Sequence, residues 1–455
     1  MIHINIKKIF TLIGITIFVV VFTLLLAPSE STVEETNKLN ATVINSSDST
    51  ITVQDGENII YTFSVEKSNY KAGDNLIIEY AGLLNKNIEK QNNELVNITP
   101  VSQDEEDITI QSSTGLFNQF DILASNKLKE MTLDEKIGQI LLVHYSETDA
   151  KQAMETYNVG GFIFFEKDFS NKTTKEVQSM INSLQSQTKV PLLTAVDEEG
   201  GSVVRVSSNK NIVSEPFSSP RELYLKGGFD LIASDTKTKS VLLETQGLNV
   251  NLAPVVDVST DSNDYIYKRT LGENTELTSQ YAKTVIESSQ GYSVSYVLKH
   301  FPGYGNNEDT HEGVVTDTRT YDEIETNDLP PFEAGIASGA EAILVSHNIV
   351  QSIDEDNPAS LSASIHNLLR NNLDFTGVII TDDLSMSAVS SIENATVKAL
   401  LAGNDIIITA DYDKSFNEIK NALTDGTISE DLIDNIVHRI ISWKYYKGIM
   451  YEKTK

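Results

Sequence analysis

Residues 377–389 read GVIITDDLSMSAV, an apolar run that closes on two adjacent aspartates, Asp382 and Asp383. A short apolar run bounded by polar residues predicts a strand buried on both faces, here with a carboxylate at its C-terminal end. Seven other runs repeat the pattern: ILLVHY (140–145), GGFIFF (160–165), PLLTAVD (191–197), NVNLAPVVD (249–257), SYVLKH (295–300), AILVSH (342–347) and DIIIT (405–409). Helix-like stretches separate them, beginning with MTLDEKIGQ at 131–139. Strands alternating with helices predict an α/β protein with a parallel sheet. Eight of them, with polar residues at several C-terminal ends, predict a closed (β/α)8 TIM-type barrel. An open doubly wound sheet is the competing architecture, and no Gly-rich phosphate fingerprint follows the first run to support it.

The segment ahead of the barrel reads differently. From about Asn40 to Pro100 short alternating runs such as STITV, IIYTFSV and NLIIEY are punctuated by Asp55-Gly56 and Gly73-Asp74, which predicts a small all-β module over 31–105. It holds no cluster of carboxylates and histidines suited to catalysis. Val101–Gly115 is polar and acidic, so 106–120 is expected to be a linker and 121–455 the barrel domain. At the N-terminus Lys7 and Lys8 precede an uncharged stretch from Ile9 to Ser29, and Glu30, Glu34 and Glu35 follow it. A stretch of this length spans a bilayer core, and the flanking charges put the N-terminus inside. Residues 1–30 are therefore expected to be a single-pass anchor that leaves the rest of the chain outside the cytoplasm. A cleaved signal peptide is the alternative and makes the protein secreted; Leu25 and Pro28 around Ala27 do not form the usual small-x-small cleavage pattern.

The 455 residues carry 65 acidic and 35 basic side chains, a formal charge of -30. That balance repels nucleic acid, which is not an expected partner. With no cysteine in the chain, disulfides, thiolate metal sites, a cysteine nucleophile and a lipidated N-terminal cysteine are excluded.

Chemistry concentrates in Lys299–His311, KHFPGYGNNEDTH, where two histidines, a lysine and two carboxylates surround a Pro-Gly turn. His311 lies two residues after Asp309, near enough for the carboxylate to orient the imidazole and raise its proton affinity, as a general acid requires. A surface loop without function is the plainer alternative. Asp382 and Asp383 point opposite ways from a strand end, so one is expected to face a pocket and the other to cap the following helix. On residues alone, capping is as good an account of either as catalysis. In VDEEGGSVVR (196–205) Asp197 ends a strand, Gly200-Gly201 allows a close backbone approach and Arg205 returns to the same face. Glu198 and Glu199 are expected to be simply solvated.

Taken together these motifs resemble glycoside hydrolase family 3, and within it the bacterial β-N-acetylglucosaminidase branch. GGFIFF, DEEGGSVVR, NVNLAPVVDV, KRTLGE, KHFPGYG with DTH, DLPPFEAGI and TDDLSM stand in the family's order between about Met131 and Lys447. The resemblance implies that Asp382 is a catalytic nucleophile and that His311 with Asp309 is an acid/base dyad. It implies that Asp197, Arg205, Arg269, Lys299 and His300 bind the sugar, with no metal or other cofactor. Asp257 and His347 read as supporting or packing residues. The chain departs from the family's usual pattern at Glu198 for glutamine, Thr310 for serine and Thr270-Leu271 for Ser-Phe.

The activity implied is that of a retaining exo-glycosidase, which removes terminal β-linked N-acetylglucosamine through a glycosyl-aspartate intermediate. Its substrate would be a cell-wall (muropeptide) or chitin-type oligosaccharide. A histidine acting as base carries no negative charge and does not repel phosphate, so phosphorolysis is the alternative within the fold. A β-glucosidase fits the histidine loop poorly. An inactive carbohydrate-binding barrel, the alternative of another class, is opposed by the presence of both Asp382 and the Asp309–His311 pair. The sequence leaves the oligomeric state open.

Overall fold

The computed structural model describes residues 36–47, 50–55, 60–65, 70, 75–81, 95–100, 115–310 and 313–451. The chain forms two compact units, Met1–Gln103 and Asp104–Lys455. Ile9–Ser29, the Val101–Thr114 stretch and the turn residues Gly56, Gly73 and Asp74 lie outside the described residues. Among the described residues no helix is long and apolar enough to cross a membrane.

The first unit is a five-stranded antiparallel sheet built from Thr36–Ser47, Thr50–Asp55, Ile60–Ser64, Asn75–Ala81 and Leu95–Pro100, with spatial order 3-2-1-4-5. Period-2 alternation puts Ala41, Val43, Ile51, Val53, Tyr61, Phe63, Leu76 and Ile78 into one apolar cluster.

In the second unit all eight predicted runs form strands: Leu141–His144, Gly161–Phe164, Leu193–Val196, Val250–Asn251, Ser295–Phe301, Ala342–Val345, Val378–Thr381 and Ile407–Thr409. They pair in parallel, first with second through to sixth with seventh, and the eighth returns beside the first. A single parallel bridge, Ile380 with Ile406, joins the seventh strand to the eighth and nearly closes the barrel. Most strand residues are buried, as parallel strands covered by helices on one side and filled by side chains on the other must be.

Helix starts follow a repeated local device. Thr132, Thr173, Ser219 and Thr320 each accept the N–H of a glutamate three residues on, while that glutamate accepts the capping residue's own N–H. Two of the donors that a helix N-terminus leaves open are satisfied reciprocally. Thr132 opens the helix Leu133–Gln139 where the sequence predicts one.

Candidate active site

The C-terminal ends of the barrel strands enclose a cavity of about 520 Å³. Ile163, Leu252, Leu344 and Ile408 line it. They come from the second strand, the residue just past the fourth, the sixth and the eighth, and so form the layer contributed by alternate strands of a filled barrel. Around this apolar floor stand Asp197, Glu199, Arg205, Arg269, Lys299, His300, Tyr304, Asp382 and Asp383. Six residues expected to act on substrate, Asp382 and the five sugar ligands, thus converge on one cavity. Of the other two, Asp309 is half-buried and lies within hydrogen-bonding reach of Tyr265, a residue that lines the cavity. His311 lies outside the described residues.

The loop after the third strand departs from expectation. Glu198 and Glu199 are not solvated but 0% and 4% exposed. Glu198 turns away from the cavity and accepts the backbone N–H groups of Arg205 (2.8 Å), Val206 (2.7 Å) and Ser207 (3.3 Å), together with the Ser207 hydroxyl. It folds the loop back on itself, and Arg205 and Asp197 line the same cavity. Gly200 makes the bend, with φ +105°, and a Cβ there would come within 2.2 Å of the Ser218 carbonyl oxygen. The Arg205 Nε is buried and among the described residues has no acceptor, which is costly unless a ligand supplies one.

Glu199 turns inward. Its Oε2 accepts Arg269 Nε at 3.0 Å, and its Oε1 accepts both Arg269 Nη2 and Lys299 Nζ at 2.7 Å. Burial alone would push the Glu199 carboxyl up, but the charges of Arg269 and Lys299 outweigh it and hold the group ionised, well below the usual carboxylate range. Lys299 also donates to Asp197 Oδ1 at 2.7 Å. An arginine only donates, so the 3.2 Å contact of Arg269 Nη2 with His300 Nε2 makes that nitrogen the acceptor. The imidazole proton then sits on Nδ1 and faces Asp257 Oδ2 at 2.8 Å. Asp257 also accepts the backbone N–H groups of His300 and Tyr304, in keeping with its reading as a supporting residue.

Asp382 Oδ1 accepts the Asp383 N–H at 2.9 Å, and among the described residues its other oxygen accepts no hydrogen bond. Asp383 is committed elsewhere: Oδ2 meets His144 Nε2 at 2.6 Å, and Oδ1 accepts the N–H and hydroxyl of Ser385. Burial raises the Asp383 pKa, and the bonds from His144 and Ser385 more than reverse the effect. The expectation that Asp383 caps the following helix is corrected, because the next helix begins at Ala395 and Asp383 closes a local turn instead. His347 is wholly buried and bridges the Ser360 hydroxyl and the Asp383 carbonyl, fixing the same turn.

The loop carrying Asp309 is pinned at Thr310, whose N–H meets the Tyr304 hydroxyl at 3.0 Å and whose Oγ1 meets it at 2.6 Å. Burial raises the Tyr265 phenol; Arg269 opposes this, while the charge of Asp309 and its hydrogen bond add to it. Glu199, His144, Tyr265 and Tyr304 were not singled out from the sequence. Charge balance was the available signal for Glu199: Arg269 and Lys299 meeting in one enclosed site require carboxylates between them. Among the described residues no group of three or more His, Asp or Glu side chains is arranged to hold a metal ion.

Residues 132–443 match the family model described as the glycosyl hydrolase family 3 N terminal domain. The chain belongs to glycosyl hydrolase family 3. Within the family it is 30% identical over 258 residues to a β-hexosaminidase of Xylella fastidiosa (strain 9a5c), covering 55% of this chain and 76% of that protein. It is 28% identical over 325 residues to the β-hexosaminidase LpqI of Mycobacterium tuberculosis, covering 68% and 82%. Among solved structures, a family 3 β-N-acetylglucosaminidase from Paenibacillus sp. superposes with a TM-score of 0.67 at 28% identity, over 71% of this chain and 64% of that one. Every residue that lines the cavity falls inside the segment that matches the family model.

Proposed function

We propose that the protein is a β-N-acetylhexosaminidase that removes a terminal β-linked N-acetylglucosamine with retention of configuration, Asp382 being its nucleophile. The observation that carries this reading is the convergence on one cavity of Asp382, Asp197, Arg205 and Lys299, where among the described residues an Asp382 oxygen and the Arg205 Nε have no partner. The relatives' β-hexosaminidase names supply the substrate class.

In the first step Asp382 attacks the anomeric carbon as the bond to the leaving oxygen breaks, and protonated His311, oriented by Asp309, donates its proton to that oxygen. In the second, neutral His311 takes a proton from water as the water oxygen displaces Asp382, and two inversions give net retention. Asp197, Arg205 and the remaining Lys299 N–H meet the sugar hydroxyls. His300 and Arg269 frame that surface, and the apolar floor keeps bulk water from the glycosyl ester. The substrate in this reading is a cell-wall or chitin-type oligosaccharide, reached outside the cytoplasm by a catalytic unit carried on Ile9–Ser29.

Aryl β-N-acetylglucosaminides and β-glucosides, each with and without phosphate, provide the test, on residues 31–455 and on intact cells. The expected result is release of free N-acetylglucosamine, faster than any glucose and indifferent to phosphate, by cells as well as by the soluble enzyme. Preference for glucosides, accumulation of a sugar 1-phosphate, or activity only in lysed cells would each overturn the corresponding part.

A further inference from the structure

Glu199 has no part in the reaction just described, yet among the described residues its carboxylate is the one that bonds both Arg269 and Lys299. Arg269 spends Nε and Nη2 on it, and Lys299 spends one of three N–H donors on it and another on Asp197. A continuous chain results, Asp257 to His300 to Arg269 to Glu199 to Lys299 to Asp197, in which every contact lies between 2.7 and 3.2 Å. Without Glu199 the chain falls into two halves: Arg269 loses its bidentate carboxylate, and Lys299 keeps Asp197 but is no longer tied to Arg269. The backbone of Glu199 is held from outside the cavity. Lys239, 6% exposed on the helix Pro220–Gln246, donates to the Glu199 carbonyl at 3.0 Å, pairs with Asp235 at 3.2 Å and lies over the Phe217 ring at 5.0 Å.

We propose that Glu199 is a positioning residue for sugar binding, holding Arg269 and Lys299 in register with Asp197, and that Lys239 holds Glu199. The inference rests on the reading of this cavity as a sugar site. Its consequence is that the site is set before substrate arrives, so that little reorganisation is left for the binding step.

The electrostatics provide a signature that a purely structural role would lack. Lys299 is faced by Asp197 and Glu199 from the loop after the third strand and by Arg269 from the Tyr265–Arg269 turn. His300 adjoins it in sequence, with Asp257 behind. Tyr281, Asp235 and Lys239 face the far side of Glu199. Burial by itself lowers the Lys299 pKa, Asp197 and Glu199 outweigh it, and Arg269 opposes them. Removing the charge of Glu199 lets burial gain, so Lys299 loses its proton at a lower pH.

The deciding experiment compares the soluble enzyme with Glu199→Gln and Lys239→Met on an activated aryl β-N-acetylglucosaminide, whose kcat/KM needs little protonation by His311, across the neutral and alkaline range. Glu199→Gln is expected to raise KM about tenfold or more, with a smaller change in kcat, and to move the alkaline decline of kcat/KM down by about one pH unit. Lys239→Met is expected to raise KM severalfold without moving that decline, because the charge of Glu199 remains. An unmoved alkaline limb in Glu199→Gln, or an unchanged KM in Lys239→Met, overturns the proposal. If Glu199→Gln does not fold, the KM of Lys239→Met decides alone. A wild-type enzyme inactive on every glycoside would count against the proposed function, whereas an active wild type matched by both variants would count only against Glu199.

Discussion

Adjacent carboxylates with the same side chain, Glu198 and Glu199, take opposite parts in this site, and neither part can be read from the motif DEEGG. A pair of glutamates before two glycines reads as a solvated turn because nothing local shows what the loop folds against. The partners of Glu199, Lys299 and Arg269, are distant in sequence, and those of Glu198, Arg205 to Ser207, come within reach only when the loop turns back on itself. Asp197, Arg205, Arg269, Lys299, His300 and Asp382, by contrast, were legible from their motifs and meet in one cavity. His311→Ala is expected to lower kcat/KM by roughly 10²–10⁴ for glycosides with basic leaving groups and far less for activated aryl glycosides, which need little protonation. Asp309→Asn should give a smaller defect of the same kind. A plot of kcat/KM against leaving-group pKa is the check. A parallel loss for every leaving group, with turnover intact, would make His311 a sugar ligand instead.

At the scale of elements, the fourth run shows why strand ends were harder to read than strands. NVNLAPVVD reads as one long strand, but only Val250–Asn251 pairs regularly, because Pro254 has no N–H to give the ladder. The Ala253 and Pro254 carbonyls still accept Val297 and Lys299, and Val256 donates back to the Lys299 carbonyl. The segment therefore continues along the fifth strand and delivers Asp257 to His300. The loop after the third strand is held by the fan of hydrogen bonds on Glu198. Glu198→Ala would leave buried N–H groups unsatisfied and is expected to lower unfolding free energy by about 3 kcal/mol. It should also raise KM through the displaced Arg205. Glu198→Gln, which restores the residue the family usually carries, keeps one acceptor oxygen and should lose less. Denaturant unfolding of the soluble unit measures the difference, and an unchanged midpoint in Glu198→Ala would contradict this account of the loop.

At the scale of the whole molecule, the number of barrel strands, their order and their parallel sense followed from eight apolar runs, since burial on two faces leaves little other sequence solution. The two ends of the barrel differ in a way that composition does not reveal. At the N-terminal end Lys444 is buried, with Gln139 Oε1 and the Gly160 and Pro191 carbonyls around its Nζ, and burial lowers its pKa to about 7. At the C-terminal end the buried cations Arg269 and Lys299 stand against carboxylates and are raised. One end spends its buried charge on closure, and the other places charge around an open cavity with Asp382 in its wall. Whether Asp382 forms a covalent bond with the sugar is decided by trapping that bond. The soluble enzyme would be treated with a slowly turned-over fluorosugar and its peptides mapped by mass spectrometry. One glycosyl group per chain is expected, on Asp382 and absent from Asp382→Ala. A label on Asp383, or no label in an enzyme that releases the inverted anomer, would contradict it.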